Sequence, residues 1–292
     1  MLGISKITGG RFGNRILHYN NLMQLSLTHD VPAYCALWEG HQWFEQLVGT
    51  SCVDTRPSSL ITWREVIEGR HIEMITQGLH CTVDGGLIHN FYYDVSKVHP
   101  RTFLKIKAEF LPQFDPHSMN LGVHIRGGDI LGADGNNGRE IHTFEYYRDS
   151  MEMLKSIENF DSVNICTDDT GFPLFKSVVT HATNLFGQEK VFLGPSTSSS
   201  RVSHIYDFGV LAQCDYLIAS SSTYAVCAGF LGKEKKIIHS REWIDKNLPG
   251  KKRVQWGRYT PDYPQAYWDQ YDKFWQCVYS AESSLYKAWT FV

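Results

Sequence analysis

From residue 120 to residue 239 the chain repeats one pattern: a short apolar run, a turn rich in glycine or hydroxyl residues, then a segment with apolar residues at helical spacing. The runs Asn120–Ile125, Ser162–Thr167, 190–193, 216–219 and 236–239 read as strands. Between them, 144–157, 172–179, 203–212 and 223–231 read as helices, and Phe144, Tyr147, Met151, Leu154 and Ile157 form one apolar stripe. Parallel neighbours in a sheet need a long crossover, and a helix supplies it. Strand and helix alternating at this interval therefore predict a doubly wound α/β fold with a parallel sheet.

The first half opens the same way. An apolar-leaning run at 2–7 meets the glycine turn Gly9-Gly10-Arg11-Phe12-Gly13-Asn14, and then Ile16, Tyr19, Leu22, Met23 and Leu27 follow at helical spacing. A second strand is expected at 31–37, a short helix at 41–47, and a strand at 79–83 that ends in Asp84-Gly85-Gly86. Residues 50–78 read as turns with a helix near 63–68, and 102–110 reads as a helix that stops before Pro112. The Pro-, Asp- and Ser-rich stretch 112–119 is the expected boundary between a domain 1–115 and a domain 116–242. The remainder, 243–292, is rich in tryptophan and tyrosine, with Trp268, Tyr271, Trp275 and Val278 on one helical face. Two readings stand there: a C-terminal helix packed across the domains, or an aromatic platform for a pyranose ring.

Composition removes several function classes. With 42% hydrophobic residues the chain is not intrinsically disordered. Lys+Arg 28 against Asp+Glu 31 leaves a formal charge of −3, so affinity dominated by nucleic-acid backbone neutralisation is not expected. No run reaches the roughly 18 apolar residues of a membrane span. The 7 cysteines are scattered without a CxxC pair, which reads as buried thiols in a reducing compartment and gives no zinc site. MLGISKITGG has no signal-peptide pattern, so the expectation is a cytoplasmic protein.

Ligands of open α/β sheets bind beyond the carboxyl ends of the strands, and four polar clusters fall at such ends. Arg11, Phe12, Gly13 and Asn14 follow the first strand and open a helix, where backbone N–H groups face outward. The same position would suit a bare tight turn. His124-Ile125-Arg126-Gly127-Gly128-Asp129 ends a strand, with alternation placing His124 and Arg126 on one face. A guanidinium there suits a diphosphate, or else closes the turn by pairing with Asp129. Asp168 and Asp169 follow the next strand and either accept hydrogen bonds from a base or ribose or cap the helix behind them, a role that suits Asp169 best. Ser220-Ser221-Ser222-Thr223-Tyr224 carries more hydroxyls than one helix cap uses and forms a ready phosphate site. Neither a dinucleotide GxGxxG nor a P-loop nor GxSxG is present, which sets aside an NAD-dependent oxidoreductase and a serine hydrolase.

Together these clusters resemble a known family. Gly10-Arg11-Phe12-Gly13-Asn14-Arg15 resembles the GRFGNQ motif of protein O-fucosyltransferases and the GGLGNQ opening of α1,2-fucosyltransferases. His124–Asp129 is similar to the H-x-R-R-G-D motif shared by the α1,2-, α1,6- and O-fucosyltransferase superfamily. Thr167-Asp168-Asp169 resembles its S/T-D-D segment, and Ser221-Ser222-Thr223-Tyr224 its donor-phosphate loop. The resemblance implies a GT-B fold, with two Rossmann-like domains facing a central cleft and a C-terminal helix crossing back to the first. It further implies an inverting transfer, without metal or cofactor, from a nucleotide sugar (most typically GDP-fucose) to a hydroxyl of a glycan acceptor. Arg126 would then support the leaving diphosphate. His124 would lie near ribose or phosphate, Asp168 would read the base, and Ser221, Ser222, Thr223 and Tyr224 would hold the phosphates. Arg11, Phe12 and Asn14 would reach the donor from the first domain. Glu39 and Asp84 are the candidates for a general base. The motif's second arginine is Gly127 here, which removes a charge beside the sugar. Two alternatives follow, another donor such as UDP-xylose and a catalytically silent nucleotide-sugar-binding protein.

Overall fold

The structure is a computed structural model that describes residues 2–4, 12–45, 47, 59–61, 70, 73–74, 77, 81–83, 100–127, 142–195, 203–220, 222–233 and 236–238. It is an α/β protein with two parallel sheets, and the chain divides into two compact units, one beginning with Met1–Lys107 and the other with Ala108–Asn247.

In the first unit, β1 (Leu2–Ile4), β2 (Ala33–Cys35), β3 (Ser59–Ile61) and β4 (Cys81–Val83) form a parallel sheet in the order β2-β1-β4-β3. Helix α1 (Phe12–His29) connects β1 to β2 and buries Phe12, Ile16, Tyr19, Leu22 and Met23. Its end is set by Asp30, whose φ of 50° lies in the left-handed region while Val31 N–H donates back to the Ser26 carbonyl. A short α2 (Gly40–Trp43) follows. Two expectations change in this unit. Residues 59–61 form a strand where turns were expected. Residues 102–110 are not a helix, since only Pro100–Thr102 and Ala108–Phe110 make 3-10 turns. Between those turns the backbone is extended because the 43–45 segment claims it. Glu45 N–H donates to the Lys105 carbonyl and Lys107 N–H to the Trp43 carbonyl. The expected elements at 63–68 and across 243–292 lie outside the described residues.

The second unit matches the alternation closely. Strands β5 (Asn120–Ile125), β6 (Ser162–Thr167), β7 (Val191–Leu193), β8 (Tyr216–Ile218) and β9 (Lys236–Ile238) form a parallel sheet in the order β7-β6-β5-β8-β9. The crossovers are α3 (Phe144–Ile157) and α4 (Pro173–Phe186), then α5 (Ser203–Gln213) and α6 (Thr223–Leu231). On one face Leu121, Val123, Ile125, Val163 and Ile165 pack with Tyr147, Met151 and Leu154 of α3 and Phe175, Val178 and Ala182 of α4. Each such aliphatic side chain contributes roughly 1.5–3 kcal/mol on burial. On the other face Gly122 lies against α5, where a Cβ would stand 3.2 Å from Leu211 and from the Cys214 sulfur. Helix α4 runs beyond the expected 172–179 because Ala182 continues the stripe, and it stops at Gly187, whose φ is +97°. At its start Pro173 forces Phe172 into extended backbone, so Phe172 holds the N-cap position without a side-chain cap bond.

Candidate functional site

In this sheet order β5 is flanked by β6, which follows it, and by β8, which enters after the winding reverses. The crevice between β5 and β8 is thus the switch point where such sheets bind ligands. The pairing registers show how it opens. β5 pairs with β6 along its whole length, from Asn120↔Ser162 to Ile125↔Thr167. With β8 it pairs only from Leu121↔Tyr216 to Val123↔Ile218. Past that last pair the two chains are held by side chains.

Two of those ties lie inside the crevice. His124 Nδ1 is 2.6 Å from Ser220 Oγ, and Arg126 Nη1 donates to Ser222 Oγ at 3.1 Å. Ser222 also caps α6, accepting from Tyr224 N–H at 3.3 Å, so one hydroxyl serves both the helix start and the guanidinium. On the other side of Arg126, Asp168 follows β6 in register with it. Its Oδ2 lies 3.6 Å from Arg126 Nε, and its Oδ1 accepts Gly127 N–H at 2.8 Å. The Asp168 side chain therefore holds the Arg126–Gly127 turn. Asp129, the other expected partner of Arg126, lies outside the described residues. Asp169 does not cap α4: its Oδ1 accepts Gly171 N–H at 2.9 Å in a local turn, two residues ahead of Pro173.

His124 is 4% exposed. Burial drives its imidazole pKa from 6.5 down to about 4, with the Asp168 carboxylate pulling upward and the Arg126 guanidinium adding to the fall. The ring is thus neutral at physiological pH and stands beside Tyr224, with centroids 5.1 Å apart. Thr223 opens α6 and the Tyr224 hydroxyl donates to the His204 carbonyl. Ser221 lies outside the described residues. Position 127 is crowded: a Cβ there would stand 3.0 Å from the Phe172 ring and 3.2 Å from Asp169 Cβ. Gly127 fits because Phe172 fills the space that a longer side chain would need.

Sequence reasoning missed three contributors, Tyr146, Tyr147 and Asp207, and one contact of Ser220. Ser220 was visible in the hydroxyl run, but its bond to His124 depends on the β5–β8 pairing. Tyr146 and Tyr147 reach the crevice from α3, donating to the Ala219 carbonyl at 2.8 Å and the His124 carbonyl at 3.2 Å. Asp207 on α5 is a carboxylate only 3% exposed, packed where Gly194 and Cys166 meet. Nothing in a helical sequence position marks it.

The first-unit candidates sit differently. Phe12 is 4% exposed and its ring meets Trp43 edge-on at 4.7 Å, so it belongs to that unit's core. Gly13 and Asn14 lie in the first turn of α1. Glu39 pairs with Arg15, Oε1 to Nη1 at 2.9 Å. Arg11 and Asp84 lie outside the described residues. Cys35, Cys166, Cys214 and Cys227 are buried thiols, and burial pushes Cys35 up to about 12, far from a thiolate nucleophile. No helix among the described residues is long and apolar enough to cross a membrane.

No protein-family model and no curated protein matches the sequence. Solved structures do match. One is an arginine-to-lysine mutant of Arabidopsis thaliana FUT1 in complex with GDP, at 11% identity and a TM-score of 0.56, covering 82% of this chain and 70% of that one. At that identity the likeness speaks for the fold, which is similar to that of a plant fucosyltransferase.

Proposed function

We propose that this protein is a glycosyltransferase of GT-B type that binds a nucleotide sugar at the β5–β8 crevice and transfers the sugar, with inversion and without metal, to a hydroxyl of a glycan acceptor. The observation that carries this is the Arg126 guanidinium at the switch point, braced by Asp168 on one side and by the Ser222 cap of α6 on the other. Such a group faces the position where a sugar leaves and negative charge accumulates on a diphosphate. Preorganised donors there stabilise the transition state without reorganising. The N-terminus of α6 adds partial positive charge to the same place. Ser222 accepts through its oxygen and keeps its O–H to donate when phosphate oxygens arrive, and the Ser220 hydroxyl can take either role.

In the proposed reaction the acceptor oxygen bonds the anomeric carbon as the bond to the diphosphate oxygen breaks. The acceptor proton passes to a carboxylate, for which Glu39 and Asp84 are the candidates. Arg15 already holds Glu39, so a base at that position would act from within an ion pair. GDP-fucose is the first donor to test, given the GDP-bound neighbour and the motif resemblance. A different donor sugar such as UDP-xylose is the second reading, favoured by the crowding of position 127 where the resembled motif carries an arginine.

A thermal-shift panel of GDP, UDP, GDP-fucose, UDP-xylose, UDP-glucose and NAD tests this directly. A ligand at about 100 times its dissociation constant stabilises the fold by about 2.7 kcal/mol, a readily seen shift. A GDP-selective shift supports fucosyl transfer, and a UDP-selective shift moves the assignment to the second reading. No shift with any nucleotide overturns the proposal. Nucleotide binding without transfer or donor hydrolysis reassigns the protein as a silent nucleotide-sugar binder. Donor turnover that EDTA abolishes overturns the metal-independent step.

A further inference from the structure

The strongest unassigned feature of the crevice lies on its far side. β5 and β8 part after Val123↔Ile218, yet the residues that would grip a ligand, His124, Arg126, Ser220 and Ser222, all come after that point. On the ligand side those same residues make the bonds that tie His124 to Ser220 and Arg126 to Ser222. An arriving diphosphate competes for them, because it takes Arg126 and Ser222 as its own donors. Something else must keep the tails at the right separation while those ties are exchanged.

The candidates are two consecutive side chains in the first turn of α3. Tyr147 donates its hydroxyl to the carbonyl of His124 on the β5 tail, and Tyr146 donates to the carbonyl of Ala219 on the β8 tail. Successive helical residues diverge by about 100°, which lets neighbours on one helix reach two adjacent strands about 4.8 Å apart. Both hydroxyls are buried, Tyr146 and Tyr147 meet edge-on at 5.0 Å, and His142 lies against Tyr146 at 4.2 Å. Burial also raises the Tyr147 phenol far above its usual range, so it stays a donor. Packing alone would have been served by phenylalanine. The hydroxyls are aimed at two backbone carbonyls, one on each tail: that of His124 itself and that of Ala219 beside Ser220.

We infer that Tyr146 and Tyr147 are paired positioning residues that set the width of the β5–β8 crevice, so that Arg126 and Ser222 stay spaced for a diphosphate when it replaces their mutual hydrogen bond. This role presupposes the diphosphate cradle proposed above. Neither tyrosine touches the ligand; each acts through a strand end.

The test is a set of single variants, Tyr146→Phe, Tyr147→Phe and Tyr216→Phe, titrated with GDP and with inorganic pyrophosphate well below their thermal transitions. Tyr216→Phe is the control, since it removes a comparable hydroxyl bond, to Glu158 at 3.2 Å, from the opposite end of the same sheet. Expected is a loss of about tenfold in affinity for both ligands in each of the two α3 variants, and less than about twofold in the control. Lower thermal stability with unchanged affinity overturns the inference, because the hydroxyls then only satisfy buried carbonyls. A loss confined to one tyrosine overturns the pairing. Failure of the wild type to bind either ligand overturns the cradle itself and this role with it, whereas normal wild-type binding with unaffected variants overturns the role alone. Should one variant not fold, the other decides.

Discussion

The two ends of the five-stranded sheet both carry buried polar groups, and they treat them in opposite ways. Where the strands begin, Asp215 accepts Asn120 N–H at 2.8 Å and Lys233 Nζ at 2.6 Å, and Asn120 Oδ1 takes the Ser162 hydroxyl at 2.7 Å. Those acceptors are a carboxylate and an amide oxygen, which cannot reverse their role. Where the strands end, Arg126 meets the Ser222 hydroxyl and His124 meets the Ser220 hydroxyl. Hydroxyls can exchange accepting for donating. One end is closed upon itself; at the other, Asp168 is a fixed acceptor for the Arg126–Gly127 turn, but the two serine hydroxyls can change roles. The difference separates a polar cluster that assembles a sheet from the one proposed to receive a ligand, although each contains an aspartate and a serine hydroxyl.

Arg126→Ala should break the contrast most severely. Donor turnover should fall about 10²–10³-fold, as with loss of a preorganised transition-state donor, measured by release of free nucleotide at saturating donor. Acid should expose the next effect. The fold favours neutral His124, so unfolding takes up a proton between about pH 6.5 and pH 4. The stability this contributes, about 3 kcal/mol, is complete above pH 6.5 and drains away as pH falls through about 4. Urea titrations across that range should show the loss in the wild type and a shallower slope in His124→Gln. At the opposite end, Asp215→Ala should cost about 1–3 kcal/mol by stranding the Asn120 N–H, while GDP affinity stays within about twofold. If Asp215→Ala weakened GDP as Arg126→Ala does, the contrast between the ends would collapse. The smallest effect belongs to Ser222→Ala, about 1 kcal/mol of stability from the lost α6 cap, with a measurable loss of GDP affinity that Ser222→Gly should share.

Much of the second unit was legible because its signals are local. The stripe of α3, the mostly apolar β5 and the hydroxyl start of α6 each lie within one window, and their bounds agree with expectation. Arg126 and Ser222 were legible for the same reason, as polar residues at strand ends. The role of Asp168 was not, because the carboxylate meets Arg126 only through the Ile125↔Thr167 register. The 102–110 segment misled for a related reason: its helical spacing was overridden by backbone bonds to residues 43–45. Phe12 stood inside a motif, yet its ring was drawn into the aromatic core with Trp43 and Phe44.

Periodicity, turn chemistry and the absence of charge bias thus sufficed for an α/β chain with parallel strands and a polar site at their carboxyl ends. The assembled sheet was needed for everything that joins residues far apart in the chain. It placed Ser220 on His124, aimed Asp168 at Arg126, and brought two tyrosines of α3 under the parting ends of β5 and β8. The reason is physical. Helix and strand preferences are set by neighbours within a few residues, whereas register and strand order are set by which buried faces fit when the whole sheet closes.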